Sequence, residues 1–284
     1  MNTIKIIECP RDAMQGWPSF IPTEKKINYI NSLLKVGFDT IDFGSFVSPK
    51  AIPQMADTKE VLKKLELDNS SSKLLAIIAN KRGAEEAAFF EQISYLGFPF
   101  SISETFQQRN ANSTISDAYK QVEEIQEIGG KHNKELVVYI SMAFGNPYGD
   151  IYNEDLVYHW MQKLVSLGVN TISLADTVGL ATPEQINSIT KYVINEFSKI
   201  ETGVHLHSAP LLWKEKLEAA RNAGCNRFDG ALKGIGGCPM AGNDLIGNIN
   251  TEQMLTYFIE QNAVGNINEY ALLNAIKLAE ETFV

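Results

Sequence analysis

His205-Leu206-His207 is the short element with the most chemistry in it. Side chains two apart on a strand share a face, so both imidazoles of a strand ending there point the same way. Joined by a carboxylate such as Asp12 and an amide oxygen such as that of Asn248, they make a mixed nitrogen and oxygen donor set. Such a set suits six-coordinate Mg2+ or Mn2+, with Zn2+ or Co2+ as alternatives, and leaves positions open for a substrate. Two unrelated, hydrogen-bonded histidines are the other reading. Arg11 puts a permanent cation beside Asp12, useful for stabilising a developing oxyanion while its neighbour binds metal or takes a proton. A surface ion pair is the plainer alternative. Asp42 and Asp176 either orient such ligands or cap loops. Cys238 sits in Gly234-Ile-Gly-Gly-Cys-Pro239, whose glycines allow close backbone approach to a ligand or lid motion. A lone cysteine can equally be inert packing. The loop lacks both Gly-x-Gly-x-x-Gly and a Walker lysine, so nucleotide binding is not indicated. Trp213-Lys-Glu-Lys216 reads as an exposed helix face.

Something must bring these scattered residues together. Eight short apolar, β-branched runs recur along the chain: Ile4–Glu8, Thr40–Phe43, Leu74–Ala79, Phe98–Ser101, Leu136–Ser141, Thr171–Leu174, Gly203–His207 and Arg227–Ala231. Most are nearly continuously hydrophobic, as parallel strands covered on both faces should be. Helical patterns separate them. Ile115, Ala118, Tyr119, Val122 and Ile125 keep the spacing of one buried helix face, as do Ile186, Ile189, Val193 and Phe197. Thr182-Pro183-Glu184-Gln185 predicts a helix start with a capping-box glutamine, and Gly168, Gly203 and Gly224 sit where helices should stop. Eightfold alternation predicts a closed (β/α)8 TIM barrel, one domain over residues 1–284, with one or two further helices after Thr251. In such a barrel, catalytic groups follow the carboxyl ends of the strands. Arg11 and Asp12 after strand one, Asp42 at the end of strand two, Asp176 after strand six, His205 and His207 on strand seven and the Gly234–Asn248 loop after strand eight are therefore expected at one mouth.

Composition narrows the partners. Asp and Glu outnumber Lys and Arg by 34 to 25, a net charge of −9, which repels a phosphate backbone and argues against nucleic acid. The three cysteines, Cys9, Cys225 and Cys238, are far apart and form no Cys-x-x-Cys, which fits a reducing compartment. No signal peptide or membrane-spanning run is evident, so a cytoplasmic protein with no membrane partner is expected.

Several longer stretches carry a resemblance: Glu8-Cys-Pro-Arg-Asp-Ala-Met-Gln15, Ser45-Phe-Val-Ser-Pro-Lys-Ala-Ile-Pro-Gln-Met55, Ser173-Leu-Ala-Asp-Thr-Val-Gly179, Val204-His-Leu-His207, and Gly236-Gly-Cys-Pro-Met-Ala241 leading to Gly247-Asn248. Almost end to end, the chain resembles the 3-hydroxy-3-methylglutaryl-CoA lyases, metal-dependent barrel enzymes grouped with isopropylmalate and homocitrate synthases. The Ser-Phe-Val-Ser-Pro-Lys run and the Gly-Gly-Cys-Pro loop are more specific to the lyases than to the synthases. The resemblance implies that Asp12, His205, His207 and Asn248 bind a divalent cation and that an acyl-CoA substrate is cleaved by a retro-Claisen reaction. It implies proton transfer by His205 and Asp12, enolate stabilisation by Arg11, and protonation of the enolate carbon helped by Cys238. Asp42 and Asp176 match supporting acidic residues, and Gln15, Ser45 and Ser103 match positions lining the substrate pocket. Leucine breakdown and a homodimer are implied too.

The chain departs from the family at Ala13 for the usual Gly, at Gly16 for Asn, and at Ser208-Ala209-Pro210 for the Asp-Thr that follows His-x-His. Its loop after Cys238 is one residue longer, making Asn243 a rival of Asn248. A related 3-hydroxy-acyl-CoA would fit these changes as a substrate. The competing readings are a Claisen-type synthase joining acetyl-CoA to an α-keto acid, and a catalytically silent barrel that binds acyl-CoA.

Overall fold

The computed structural model describes residues 3–237 and 246–284. Within them, strands β1 (Lys5–Glu8), β2 (Thr40–Ser45), β3 (Lys73–Ile77), β4 (Ile93–Ser101), β5 (Glu135–Ser141), β6 (Thr171–Asp176), β7 (Glu201–Leu206) and β8 (Arg227–Gly230) close into a barrel in chain order. All pairings are parallel, including the β1–β8 closure that sets Lys5 against Arg227. The connecting helices are α1 (Pro10–Gln15), α2 (Thr23–Leu33), α3 (Thr58–Lys63), α4 (Lys81–Ala88), α5 (Glu104–Ala111), α6 (Ile115–Lys131), α7 (Glu154–Ser166), α8 (Pro183–Glu196) and α9 (Trp213–Asn222). Two more, α10 (Thr251–Glu260) and α11 (Glu269–Thr282), follow β8. Each apolar run read from the sequence falls on one of the eight strands.

Alternation along the strands sorts side chains into two cores. One face of each strand meets the helices in a continuous apolar shell that includes Ile41, Leu74, Leu96, Val138, Ile172, Val204 and Phe228. The other face fills the barrel, where Leu75, Ile77, Tyr95, Val137 and Tyr139 form a separate cluster. The periodic residues predicted for α6 and α8 bury Ile115, Ala118, Val122, Ile125, Ile186, Ile189 and Val193. The capping box at Thr182 is present with both of its hydrogen bonds.

Two glycine expectations separate here. Gly168 and Gly224 take positive φ after their helices, whereas Gly203 lies inside β7 and stops no helix. A Cβ on Gly203 would come within 3.0 Å of the Arg227 side chain, so its lack of one makes room for that arginine inside the barrel. Asp42 also moves: β2 runs on to Ser45, which leaves Asp42 mid-strand beside an irregularity in register.

Glu8, the last residue of β1, is fully buried and accepts hydrogen bonds from the Leu232 amide at 2.8 Å and the Thr251 hydroxyl at 2.6 Å. Burial pushes its pKa from 4.5 up to about 8, against the pull of those two donors. The folded protein therefore holds a proton that the unfolded chain releases near pH 4.5, and this stability is lost as pH rises toward 8. Glu8→Gln should flatten that dependence. Between about pH 5 and 8 the wild type is expected to lose on the order of 1 kcal/mol per pH unit relative to the variant, read from urea midpoints across that range. Parallel pH profiles would show that Glu8 is already ionised in the fold.

Candidate active site

The barrel's carboxyl-terminal mouth opens into a cavity of about 480 Å3 whose wall includes Arg11, Asp12, Gln15, Asp42, Tyr139, His205 and His207. Its outer part is lined by Phe106, Gln107, Arg109 and Asn110 from α5, with Val47, Ile52 and Phe98 making the wall partly apolar. The first turn after β1 does much of the positioning. Cys9 is the N-cap of α1 and Pro10 fixes its first helical residue, so Arg11, Asp12 and Gln15 project from one short helix.

Arg11 is clamped. Its Nε donates to Asp42 Oδ2 at 3.0 Å and its Nη2 to the same oxygen at 2.6 Å, while Nη1 donates to Gln15 Oε1 at 2.8 Å and to Asp12 Oδ1 at 3.3 Å. Gln15 in turn donates to Asp12 Oδ1 at 2.7 Å. Burial acts against the Arg11 cation, but Asp42 and Asp12 outweigh it and hold the guanidinium charged. Burial raises Asp42 to about 6 despite Arg11. Burial would raise Asp12 as well, yet Arg11, His205 and His207 together bring its carboxyl below the usual range. One anion is thereby kept ionised next to two imidazoles.

The two histidines are oriented from outside. His205 Nδ1 lies 3.0 Å from Asp229 Oδ2, and His207 Nδ1 lies 3.0 Å from the Ile246 carbonyl oxygen. Both partners are acceptors, so hydrogen-bond logic puts a proton on each Nδ1 and turns each Nε2 lone pair inward. Those Nε2 atoms face each other at 3.1 Å. Two lone pairs at that distance require a proton or another cation between them. Without a metal ion, the Asp229 bond and charge overcome burial and raise the pKa of His205, while burial and His205 lower that of His207, so one proton serves both rings. The Asp12, His205 and His207 donor atoms all lie within 4.8 Å of one another. An inward-turned carboxylate and two inward-turned imidazoles fit a divalent cation, with oxygen positions left for substrate.

Asn248 joins this set from the loop after β8. Its side-chain nitrogen donates to Asp12 Oδ2 at 2.7 Å and to the Ile235 carbonyl at 2.9 Å. The amide oxygen expected as a ligand therefore does not face Asp12 in this arrangement. Gly236, at φ 112°, makes the approach possible: a Cβ there would lie 3.0 Å from Asp12 Oδ2. Cys238 and Asn243 lie outside the described residues.

Three expected site residues face elsewhere. Asp176 ends β6 with its side chain turned away from the cavity, where Lys216 Nζ of α9 donates to Asp176 Oδ2 at 2.7 Å. Ser103 is the N-cap of α5 and donates its hydroxyl to Asp150, and the Ser45 hydroxyl accepts from the Val47 amide at 3.2 Å. Both hydroxyls hold loops of the mouth and are not part of the cavity wall. The Trp213–Lys216 expectation is also corrected. Lys216 is only 2% exposed, and besides Asp176 it donates to the Gly179 carbonyl at 3.0 Å and the His207 carbonyl at 2.9 Å. Asp229 and Lys216 are thus the supporting residues that the sequence reading passed over.

A family model described as HMGL-like matches residues 4–278. A hydroxymethylglutaryl-CoA lyase of Bacillus subtilis is 31% identical over 276 residues, which is 96% of this chain and 90% of that protein. The mitochondrial hydroxymethylglutaryl-CoA lyase of Mus musculus is 32% identical over 255 residues, 89% of this chain and 77% of its own. Among solved structures, an HMG-CoA lyase from A. baumannii in complex with coenzyme A and 3-methylmalate aligns with a TM-score of 0.91 at 32% identity, covering 99% of this chain and 91% of that one. The B. subtilis HMG-CoA lyase structure gives 0.91 at 30% identity, over 100% and 95% of the two chains.

Proposed function

The chain belongs to the HMGL-like family, and from that premise we propose that it cleaves 3-hydroxy-3-methylglutaryl-CoA, or a close 3-hydroxy-acyl-CoA, into acetyl-CoA and acetoacetate. It is a carbon–carbon lyase. The observation that carries the reading is the convergence of Arg11, Asp12, His205 and His207 on one cavity, with both His Nδ1 atoms engaged so that both Nε2 atoms face Asp12.

Asp12, His205 and His207 would hold a divalent cation, and with the Asn248 amide, the further ligand that the family resemblance supplies, and two substrate oxygens the mixed six-donor set suits Mg2+ or Mn2+. When bound, that cation contributes Lewis acidity toward the hydroxyl and carboxylate oxygens of the substrate. The protein's own groups do the rest. Asp12 and His205 are the pair for moving the proton of the tertiary hydroxyl: the Asp12 carboxylate has an oxygen to spare for it, and the His205 ring beside it is set by the bond from Nδ1 to Asp229. The carbon–carbon bond then breaks, leaving acetoacetate and the enolate of acetyl-CoA. The Arg11 guanidinium meets the negative charge that grows on the enolate oxygen, a charge larger in the transition state than in the substrate. Cys238 is our candidate for protonating the enolate carbon. Gln15 shapes the reacting end of the pocket, and the α5 wall with Arg109 is where the acyl-CoA arm would lie. A single barrel domain performs the whole reaction on this reading, which extends on family grounds to leucine breakdown, a cytoplasmic location and a homodimer. Among the described residues no helix is long and apolar enough to cross a membrane.

Metal-stripped protein should form acetoacetate and acetyl-CoA in equal amounts from 3-hydroxy-3-methylglutaryl-CoA only after Mg2+ or Mn2+ is restored. If the metal binds but no product forms, the substrate assignment fails and other 3-hydroxy-acyl-CoA thioesters are the next to assay. Release of free CoA from acetyl-CoA plus an α-keto acid would instead reveal a synthase.

A further inference from the structure

Below the Asp12–His205–His207 set, the Cys9 thiol and one oxygen of Asp229 have no task in the lyase reaction. Cys9, at the N-cap of α1, is 1% exposed, and Asp229 comes from β8 on the neighbouring side of the barrel. A sulfur, a ring nitrogen and a carboxylate oxygen from Cys9, His205 and Asp229 all lie within 4.8 Å of one another. Asp229 Oδ2 is engaged by His205 Nδ1, but Asp229 Oδ1 is buried without a hydrogen-bond partner among the described residues. Among the described residues the Cys9 thiol donates to the Ile7 carbonyl alone, at 3.7 Å. A carboxylate oxygen left bare inside a protein is costly, and a cation placed against it removes that cost.

We propose that Cys9, His205 and Asp229 form a second cation site, taking a thiophilic ion of the Zn2+ class, that shares His205 with the sulfur-free set above it. The donor types choose the ion. One thiolate, one imidazole and one carboxylate make the three-ligand tetrahedral set that Zn2+ accepts with a fourth position open. Mg2+ and Mn2+ prefer oxygen and do not compete for the sulfur. Entry is through the mouth, since Cys9 and His205 both border the cavity.

The shared ring makes the two sites antagonistic. Zn2+ binds the Cys9 sulfur with loss of the thiol proton to solvent, and it binds Nδ1 of His205 in place of the proton now donated to Asp229. The neutral ring then carries its one proton on Nε2. Asp12 and His207 lose the lone pair that the upper set requires. Zn2+ in the lower site thus opposes Mg2+ or Mn2+ in the upper one, whatever the acyl-CoA turns out to be.

Co2+ is the probe, because thiolate ligation gives it a near-ultraviolet charge-transfer band that nitrogen and oxygen donors do not. Added to the metal-stripped full chain, Co2+ should produce that band, Zn2+ should abolish it, and Cys9→Ser should lack it, while Cys225→Ser and Cys238→Ser keep it. Cys9→Ala, with a small apolar side chain in the same buried place, guards against a folding artefact. In turnover, each variant compared with its own zinc-free rate, Cys9→Ser should raise the Zn2+ concentration for half-inhibition at least about tenfold. No band in the wild type, a band that survives Cys9→Ser, or equal Zn2+ inhibition in both proteins would each overturn the proposal. The spectroscopic arm needs no substrate, so its failure is separate from failure of the lyase reading.

Discussion

Arg11→Met is expected to give a folded barrel that turns over 3-hydroxy-3-methylglutaryl-CoA at least about 10²-fold more slowly, with the loss in kcat and little change in KM. The geometry explains the size. Asp42 grips two guanidinium nitrogens, Gln15 and Asp12 share the third, and the side chain is 10% exposed, so the cation is fixed before substrate arrives. A preorganised charge spends nothing on reorienting as the enolate forms, and losing one such group removes about 3–4 kcal/mol of transition-state stabilisation. Methionine keeps the apolar stem and removes only the fork. Arg11→Lys keeps a charge but cannot make both bonds to Asp42 and the one to Gln15, so it should recover only part of the rate. Because Arg11 also helps hold the Asp12 carboxyl ionised, divalent-ion binding must be titrated beside the kinetics. Unchanged kcat in a folded, metal-loaded Arg11→Met would take Arg11 out of the reaction.

That a barrel forms was readable because a strand covered on both faces has little room for polar residues, as the runs from Leu74 to Ile77 and from Leu136 to Ile140 illustrate. His-x-His was readable for a related reason: the two-residue period of a strand forces both rings to one face, and here both reach the cavity. Asp176 shows where the same logic stops. A carboxylate at the end of a strand can lean toward the mouth or toward the helices, and the choice depends on Lys216, 40 residues later in the chain. Nothing in Trp213-Lys-Glu-Lys216 marks one lysine as different from the other, since burial of Lys216 is decided by how α9 packs beside α8 and β6. Asp229 was hidden by its setting between Phe228 and Gly230, where a single polar residue looks like a strand ending and not like the partner of a histidine one strand away. The serines attributed to the pocket by resemblance illustrate another limit. Ser103 and Ser45 are near the mouth, but their hydroxyls are engaged by other loop groups, Asp150 of the loop after β5 and the Val47 amide.

Lys216→Met should destabilise the protein by about 3–5 kcal/mol, the range for a buried ion pair that loses one partner. Lys216 and Asp176 are 3% and 2% exposed at their side chains, and after the change the Asp176 carboxylate keeps, among the described residues, only the Ala181 amide, at 3.2 Å. The midpoint of urea unfolding reads this directly. Adding Asp176→Asn to Lys216→Met removes the stranded charge and should return a substantial part of the loss, so the two changes will be far from additive. A second effect travels along the backbone. Lys216 also holds the His207 carbonyl at 2.9 Å, and Ser208, where the family has Asp, spends its hydroxyl on the Ala209 carbonyl. The ammonium is therefore the side-chain grip on the strand end that carries His207, and releasing it should weaken divalent-ion binding about 10–100-fold, the usual consequence of losing a group that orients a ligand. The double variant separates the roles: Asp176→Asn can restore stability, but it cannot restore a donor to the His207 carbonyl. If it restored ion affinity too, Lys216 would be a partner for Asp176 alone, with no hold on the metal-binding histidine.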